Sequence, residues 1–588
     1  MKKSTKLLLK LAIAFYWSSI LTRSDSYYIP YLAICMVGCM CMVFNYIKEE
    51  KLHAKWRNAI AVIYATVLAL CVLLANYNVI WSIRPQYAQG FFRVNAACLI
   101  FAGGVILFKE ILNTVCRYMV SANNNSELKK SKRIKPSFVL VVSWISIAMI
   151  DMLLLFGAEY PGIITPDSNY QINQLMHIVP YSNHHPFYHT QIIHLCISFG
   201  MMVFGEINAA VAVYSVFSII IMSGCFAYTV CTVYQLRGNI KVAVLMLLGY
   251  MLLPYHIKYS YSVWKDPFFG AAVLLFVVGT FRVLNNVGKT AWMNYAIMLF
   301  GSIAITLMRS NGQLVFLAST IVFALMFFKR YKRILAMFVG VLVISVILKY
   351  PVLDAIGVVK VDIVESLSIP VQQIALVITD GAELTDEQRM LLEQVVDIDK
   401  IPETYESHIS DPMKELVRAR NNQKYISENK MAFLKLYIQL GIENPYNYMK
   451  AWIEQTKGYW NAGYDYWVWS AGVNDNVFGL ERHGIGEIEV PWMEYLCKFE
   501  ANTEFPPLLL FVSIGFNVWL LIIATYAAIV KKDWPSLFTS VPALLTIATL
   551  LVATPVFSEF RYAYAVFCCL PFAMYVSFTP CTYTTTTN

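Results

Sequence analysis

Apolar runs of about twenty residues recur along this chain, separated by short polar or basic turns. Such a run reads as a transmembrane helix, because about 20 residues rising 1.5 Å each cross a hydrocarbon core of roughly 30 Å. The pattern predicts helices over 10–21, 28–47, 58–75, 96–112 and 138–156, then over 207–234, 242–255, 267–283, 291–308, 313–328 and 334–348. Three more follow at 507–530, 537–556 and 562–578. The expected fold is therefore an all-α polytopic membrane protein with about 14 transmembrane helices. Between the fourth-last and third-last of these, residues 351–505 are polar and read as short helices: 386–395, 414–440, and one that starts at Asn444-Pro445 and runs over 446–457. An aromatic cluster follows, Tyr459, Trp460, Tyr464, Tyr466, Trp467 and Trp469. No internal repeat is visible, which argues against a transporter built from inverted halves.

Charge decides how one ambiguous run is placed. Lys48, Lys51, Lys55 and Arg57 mark one connecting loop as cytoplasmic, and Arg117, Lys129, Lys130, Lys132, Arg133 and Lys135 mark another. The apolar run 191–204 is 14 residues long and carries His194. Counting it as a span would put Lys329, Arg330, Lys332, Arg333, Lys531 and Lys532 outside. Leaving it out keeps them inside with Arg237, Lys241, Arg282 and Lys289, so the run is expected to lie on the outer surface as an amphipathic helix. Both termini are then cytoplasmic, and the basic start, Met1–Lys10, leads into a retained first span because no small-residue cleavage site follows. The expected units are an N-terminal four-helix region (1–136), a membrane core (137–350) with its first loop at 158–190, an external helical and aromatic cap (351–505) and a three-helix C-terminal region (506–588).

Composition agrees: 58% of the 588 residues are hydrophobic and 14% charged, which excludes a water-soluble fold. The net charge of +9 is explained by the basic turns between spans, so no nucleic-acid partner is implied. Most of the 13 cysteines, Cys35, Cys71, Cys225, Cys568 and Cys569 among them, sit inside apolar runs as small hydrophobes, and no metal-spaced Cys pair occurs.

The polar loop 159–190 is where chemistry concentrates. It holds no Lys or Arg, and His177, His184, His185 and His189 fall in it with His194 just beyond. Topology gathers further polar groups on the same outer face: Asp167 with Asn169, Gln171 and Gln174; Lys258, Lys265 and Asp266; Arg309 and Asn311; Glu559 and Arg561. Ionisable groups near membrane depth are expensive and point to function, although any one of them alone also fits a snorkelling side chain. Pro166-Asp167-Ser168 reads as a turn into a helix with Asp167 or Ser168 as N-cap, and Asp167 is also suited to serve as a general base. His184 and His185 fit either an interfacial pair of rings or, with Asp167, contacts to a lipid phosphate or a divalent metal ion. Lys265, Arg309 and Arg561 suit an anionic leaving group, since guanidinium groups bind phosphate oxygens bidentately. Trp460 and Tyr464 fit stacking on sugar rings or a membrane-interface belt.

In order along the chain, Pro166-Asp167-Ser168, then His184-His185-Pro186-Phe187-Tyr188, Phe204-Gly205-Glu206-Ile207-Asn208, Trp264-Lys265-Asp266 and Ser558-Glu559-Phe560-Arg561-Tyr562 resemble the GT-C superfamily of integral-membrane glycosyltransferases. Protein O-mannosyltransferases and the aminoarabinose transferase of lipid A are of this type, and the resemblance covers about 138–578. It implies a GT-C-like fold and a transferase that takes a sugar from a polyprenyl-phosphate donor on the extracytoplasmic side of the plasma membrane. The sugar passes, with inversion, to a hydroxyl of a cell-envelope acceptor, be it glycan, lipid or protein. Asp167 would match the acid of the first loop and Asp266 that of the later loop; His184, His185, Lys265, Arg309, Arg561, Glu559, Gln171, Trp460 and Tyr464 would bind substrate. Two departures stand out. Ser168 follows Asp167 where many relatives have a second acid, and His184-His185 replaces Glu-Lys. The other functions weighed are an envelope glycan polymerase or ligase and a lipid-linked glycan flippase.

Overall fold

The computed structural model describes residues 3–21, 28–48, 55–82, 89–124, 134–288, 291–464, 466–468, 470–483 and 509–579. Lys51, Lys129, Lys130, Lys132, Arg133, Lys289 and Trp469 lie outside them. All regular structure among the described residues is helical, with five isolated β-bridges tying loops together.

Among the described residues each apolar run read from the sequence is helical, with breaks at Leu253, at Ser513 and at Thr539-Ser540. The N-terminal bundle holds α1 (Lys3–Leu21), α2 (Ile29–Ile47), α3 (Lys55–Ala75) and α4 (Gln89–Asn124). Small residues let these backbones close up, as membrane packing requires: a Cβ on Gly38 would meet Leu107, and those on Gly103 and Gly104 would meet Trp17 and Ala69. The core follows with α5 (Pro136–Leu154), α6 (Pro166–Leu175), α7 (Phe187–Phe204), α8 (Ile207–Arg237), α9 (Ile240–Leu252), α10 (Pro254–Ser260), α11 (Lys265–Leu284), α12 (Ala291–Met308), α13 (Gly312–Phe327) and α14 (Lys332–Ile347). Helix α11 is the hub and is buried over nearly its whole length. It accepts neighbours on every side because Gly270 faces Tyr564 and Gly279 faces Met298, while Gly301 of α12 faces the backbone of Phe276. The chain bends by 60° between α9 and α10, where Pro254 cannot continue the hydrogen-bond ladder.

Twelve described helices are long and apolar enough to cross a membrane, or thirteen if α9 and α10 form one bent span. This differs from the expected fourteen at three places. Helices α1 and α13 are not among the twelve, α13 being 16 residues long, whereas α7, expected on the surface, is among them. The run expected at 96–112 is part of a 36-residue helix.

The polar region carries its own small core around Val364, Val377, Leu392, Met413 and Leu440. Its helices include α15 (Ser368–Thr379), α16 (Asp411–Ala419), α17 (Lys430–Glu443) and α18 (Pro445–Trp460). The helix expected over 414–440 is three helices, interrupted at Asn421, whose φ is 53°, and at Asn429, whose side chain bonds its own turn. Pro445 opens α18 as expected, and the helix runs on to Trp460. After α19 (Ile514–Lys531) and α20 (Val541–Ala553), the chain ends its described part in α21 (Phe560–Phe578).

Candidate functional site

The site is assembled by two loops stitched edge to edge. Ile163 N–H donates to Tyr261 O (3.2 Å) and Val263 N–H to Ile163 O (3.0 Å), while Ser168 Oγ donates to Val263 O (2.8 Å). Trp264 Nε1 donates to Thr165 Oγ1 at 2.6 Å. Thr165, not Asp167 or Ser168, is the N-cap of α6. The reason is local: Pro166 has no N–H to lose and takes the first helical position, so the capping oxygen comes from the residue before it. That leaves the Asp167 carboxylate free of capping duty and pointed at its neighbours in space.

Those neighbours come from across the chain. Arg561 Nη1, at the start of α21, donates to Asp167 Oδ2 at 2.6 Å. Lys265 Nζ, at the start of α11, lies 3.7 Å from the same oxygen. Lys265 also donates to His185 Nδ1 at 3.1 Å, and the His184 ring meets His185 edge-on, with centroids 4.7 Å apart. One residue on, Asp266 pairs with Arg309 Nη1 at 3.0 Å. Arg309 lies over the Tyr562 ring, Arg561 over Trp264, and Glu559 Oε1 stands 3.2 Å from Arg561 Nε. Asp167 keeps 31% of its side-chain surface accessible, whereas Asp266 keeps 1%. Of the two acids, only Asp167 can be reached by a ligand; Asp266 holds Arg309 in place.

The electrostatics follow from burial and from this ring of cations. Burial resists ionisation of Asp167, but Lys265 and Arg561 outweigh it and hold the carboxyl well below the usual range. For His185, burial and then the Lys265 ammonium push the imidazole down to about 2, so its neutral Nδ1 is an acceptor. Burial likewise lowers His184, against the pull of Glu365. Glu559 moves the other way: burial raises it to about 7, opposed by Arg561 and aided by the charges on Asp266 and Asp167. The cluster thus sets the basic side chains of Lys265, Arg309 and Arg561 beside Asp167, Asp266 and a Glu559 that burial keeps partly neutral near pH 7, an arrangement that can receive an anion.

A model of a family of unknown function, DUF6020, matches residues 176–582. The chain belongs to that family. No curated protein and no solved structure matches it. In this DUF6020 chain the matched range takes in His184, His185, Lys265, Asp266, Arg309, Glu559 and Arg561, while Asp167 lies just before its start.

Eight of the residues singled out in sequence thus meet at one place: Asp167, His184, His185, Lys265, Asp266, Arg309, Glu559 and Arg561. Three do not. Gln171 is buried behind α6, donating to Thr190 Oγ1 (2.9 Å) and lying 3.0 Å from His189 Nδ1. Trp460 stacks on Trp452 and accepts Trp519 Nε1 at its carbonyl, and Tyr464 donates to Ala75 O, so both pack against the membrane helices. Among the described residues no three His, Cys, Asp or Glu side chains are grouped to hold a metal ion. In the Asp167, His184 and His185 trio the reason is plain: Lys265 and Arg561 already occupy the carboxylate and the His185 nitrogen. Lys349 was missed; it donates to Arg309 O and Ser310 O from a helix end whose lysine looks like any interfacial one. Also missed was the role of Glu159, which is buried beside the site and pairs with Lys258 and with Arg482, and accepts Gly472 N–H at 3.0 Å. That carboxylate clamps segment 470–483 onto the first loop, where Ile164 N–H donates to Gly472 O and Asn474 N–H to Ile164 O.

Proposed function

We propose that this protein is a membrane glycosyltransferase of the GT-C type, moving a sugar from a polyprenyl-phosphate donor to a hydroxyl of a cell-envelope acceptor on the extracytoplasmic face of the plasma membrane. The observation that supports it best is the reachable Asp167 carboxylate shared between Arg561 and Lys265, three side chains from three separate loops. In this reading the donor phosphate enters the cation cluster and takes Arg561 and Lys265 for itself. Asp167 loses both partners, its basicity rises, and it accepts the proton of the acceptor hydroxyl as that oxygen attacks the anomeric carbon. The bond from anomeric carbon to phosphate oxygen breaks, and the charge that stays on the lipid phosphate is held by the same two cations. His185, neutral and hydrogen-bonded to Lys265, orients that ammonium.

The sidedness rests on charge. Helix α11 starts at Lys265 in the site and reaches Arg282 seventeen residues later, about 26 Å away at 1.5 Å per residue. Arg237, Lys329, Arg330, Lys332, Arg333, Lys531 and Lys532 lie towards that far end, as a cytoplasmic face requires. Helix α7 is read as lying on the outer surface. It packs along the first turns of α8, Gly200 against Ala210, and Ser215 of α8 is already level with Pro161 beyond the end of α5.

The test is transfer from a panel of polyprenyl-phosphate sugars by the purified protein in liposomes, wild type against Asp167→Asn. Loss of transfer by on the order of 10²–10⁴-fold in the variant, at unchanged yield and melting temperature, is the expected result. Equal transfer by both removes Asp167 as the base, and no transfer with any donor and acceptor tried turns the reading towards a polymerase, a ligase or a flippase.

A further inference from the structure

Helix α18 continues none of the spans and lies across their ends on the Asp167 side. Trp452 Nε1 donates to Leu551 O (2.9 Å), two residues from the end of α20, and Gln455 Nε2 donates to Thr554 O (2.8 Å) just beyond it. Further along, Trp460 O accepts Trp519 Nε1 (2.9 Å) in the second turn of α19. Tyr464 then donates to the carbonyl of Ala75 (3.1 Å), the last residue of α3. From 452 to 464 the chain therefore keeps within about 8 Å, at 1.5 Å per helical residue, of the level where three spans stop.

Helix α17 folds back along the start of α18. Tyr448 donates to Tyr437 O (2.9 Å), and a Cβ on Gly441 would meet the Tyr448 ring at 2.9 Å. One side of α17 carries Leu436 and Leu440 into the small cap core. Met431, Leu434, Ile438 and Ile442 follow at intervals of three and four and form a stripe on another side. Leu440 stands two residues from both Ile438 and Ile442, about 200° round the helix, so the stripe turns away from that core. Met431 and Ile442 keep 76% and 75% of their surface exposed, and Leu434, Ile438 and Met449 of α18 keep about half. A helix that is apolar on two sides needs two apolar partners, and the cap core supplies one.

Place and composition identify the other partner. The line of α18, from α19 at Trp460 to α20 at Trp452, carries its first turn and the α17 stripe beside it past the last span it touches. Protein interfaces are anchored by Trp, Tyr and Arg, whereas this stripe holds Met, Leu and Ile. Lys430 and Lys435 are exposed at its border, where lysine stems can follow an apolar surface and lift the ammonium to the headgroups. We propose that the α17–α18 hairpin is an interfacial membrane element, with Met431, Leu434, Ile438, Ile442 and Met449 entering the acyl region of the leaflet on the Asp167 side. The cap is thereby held to the bilayer surface as well as to the span ends. This assignment is independent of the transfer reaction.

The test uses the full-length protein in phosphatidylcholine vesicles, with a fluorescent maleimide on Ile438→Cys, Ile442→Cys or Glu387→Cys. The wild type, labelled in parallel, supplies the background from the chain's own 13 cysteines. Glu387 is the control, exposed on the helix Asp386–Glu393 whose Leu392 enters the same cap core. Each protein is then exposed to a nitroxide-bearing lipid or to a water-soluble nickel complex as quencher. Labels at 438 and 442 are expected to lose most of their fluorescence to the lipid nitroxide and little to nickel, and the label at 387 the reverse. All three side chains point outward, so yield and melting temperature should stay those of the wild type. Quenching of 438 and 442 by nickel and not by the lipid overturns the proposal and leaves the stripe in water. Protection from both quenchers also overturns it and assigns the stripe to a second copy of the chain or another protein.

Discussion

A carboxylate that shares one oxygen between a guanidinium and an ammonium is held as an anion and is a weak base until its partners are drawn away. Asp167 is in that state, and the pH dependence of the proposed reaction should show it. In the wild type the acid limb of kcat/KM is expected well below the usual carboxylate range, since Lys265 and Arg561 keep Asp167 ionised. Arg561→Gln removes the 2.6 Å partner, so the acid limb should move to higher pH, and KM for the donor should rise about 10- to 100-fold with the lost charge-assisted bonds. Glu559 titrates in the opposite sense. Its folded value is raised to about 7, so its contribution to stability is present below the ordinary glutamate range and is lost as pH rises through about 7. Below that point Glu559 is neutral and leaves Arg561 to an anionic ligand; above it the carboxylate competes. Donor binding should therefore weaken between pH 6 and 8 in the wild type and stay flat in Glu559→Gln, which titration of binding against pH will check.

At the scale of elements, the site depends on close approaches that glycine alone permits. A Cβ on Gly458 of α18 would come within 2.6 Å of Phe557 O and the Ser558 side chain, just ahead of Glu559. Gly458→Ala should displace that strand of backbone and lower both melting temperature and transfer, whereas Gly340→Ala, with open space around it, should do neither. The clamp of segment 470–483 is a buried ion pair, and removing one partner leaves the other charged in a dry place. Lys258→Met is expected to destabilise by about 3 kcal/mol, with much of that recovered in Glu159→Gln/Lys258→Met, measured by thermal denaturation in detergent. The helices themselves were legible in sequence because lipid imposes one rule on every span: about twenty apolar residues with the backbone bonded within the helix. The cap helices were legible only in part. Asn421 and Asn429 broke the expected 414–440 helix with a left-handed turn and a local side-chain bond, and the residue types alone do not announce either. Thr165 displaced Asp167 as N-cap because Pro166 takes the first helical position and starts the helix two residues earlier, a small difference that decides what Asp167 is free to do.

Across the whole molecule, the N-terminal bundle is tied to the rest by few but buried contacts. Tyr31 Oη accepts from Asn76 Nδ2 and Asn461 Nδ2, and Trp519 and Tyr526 of α19 pack into the bundle core. Tyr31→Phe removes one hydrogen bond from each of Asn76 and Asn461, whose Nδ2 groups keep Val72 O and Ala462 O, and should lower stability by about 1–3 kcal/mol, read from melting in detergent. By itself the sequence determined that this protein is an all-helical membrane protein with a polar insert, and that acids, histidines and basic residues recur at one set of helix ends. Burial in lipid forces those choices residue by residue, so they can be read without neighbours. Only the tertiary structure decided that Asp167 meets Arg561 across nearly four hundred residues, that Asp167 and not Asp266 is reachable, and that Trp460 and Tyr464 turn towards the membrane helices. Those outcomes depend on how helices pack against each other, and small residues at interfaces set that packing in space rather than along the chain.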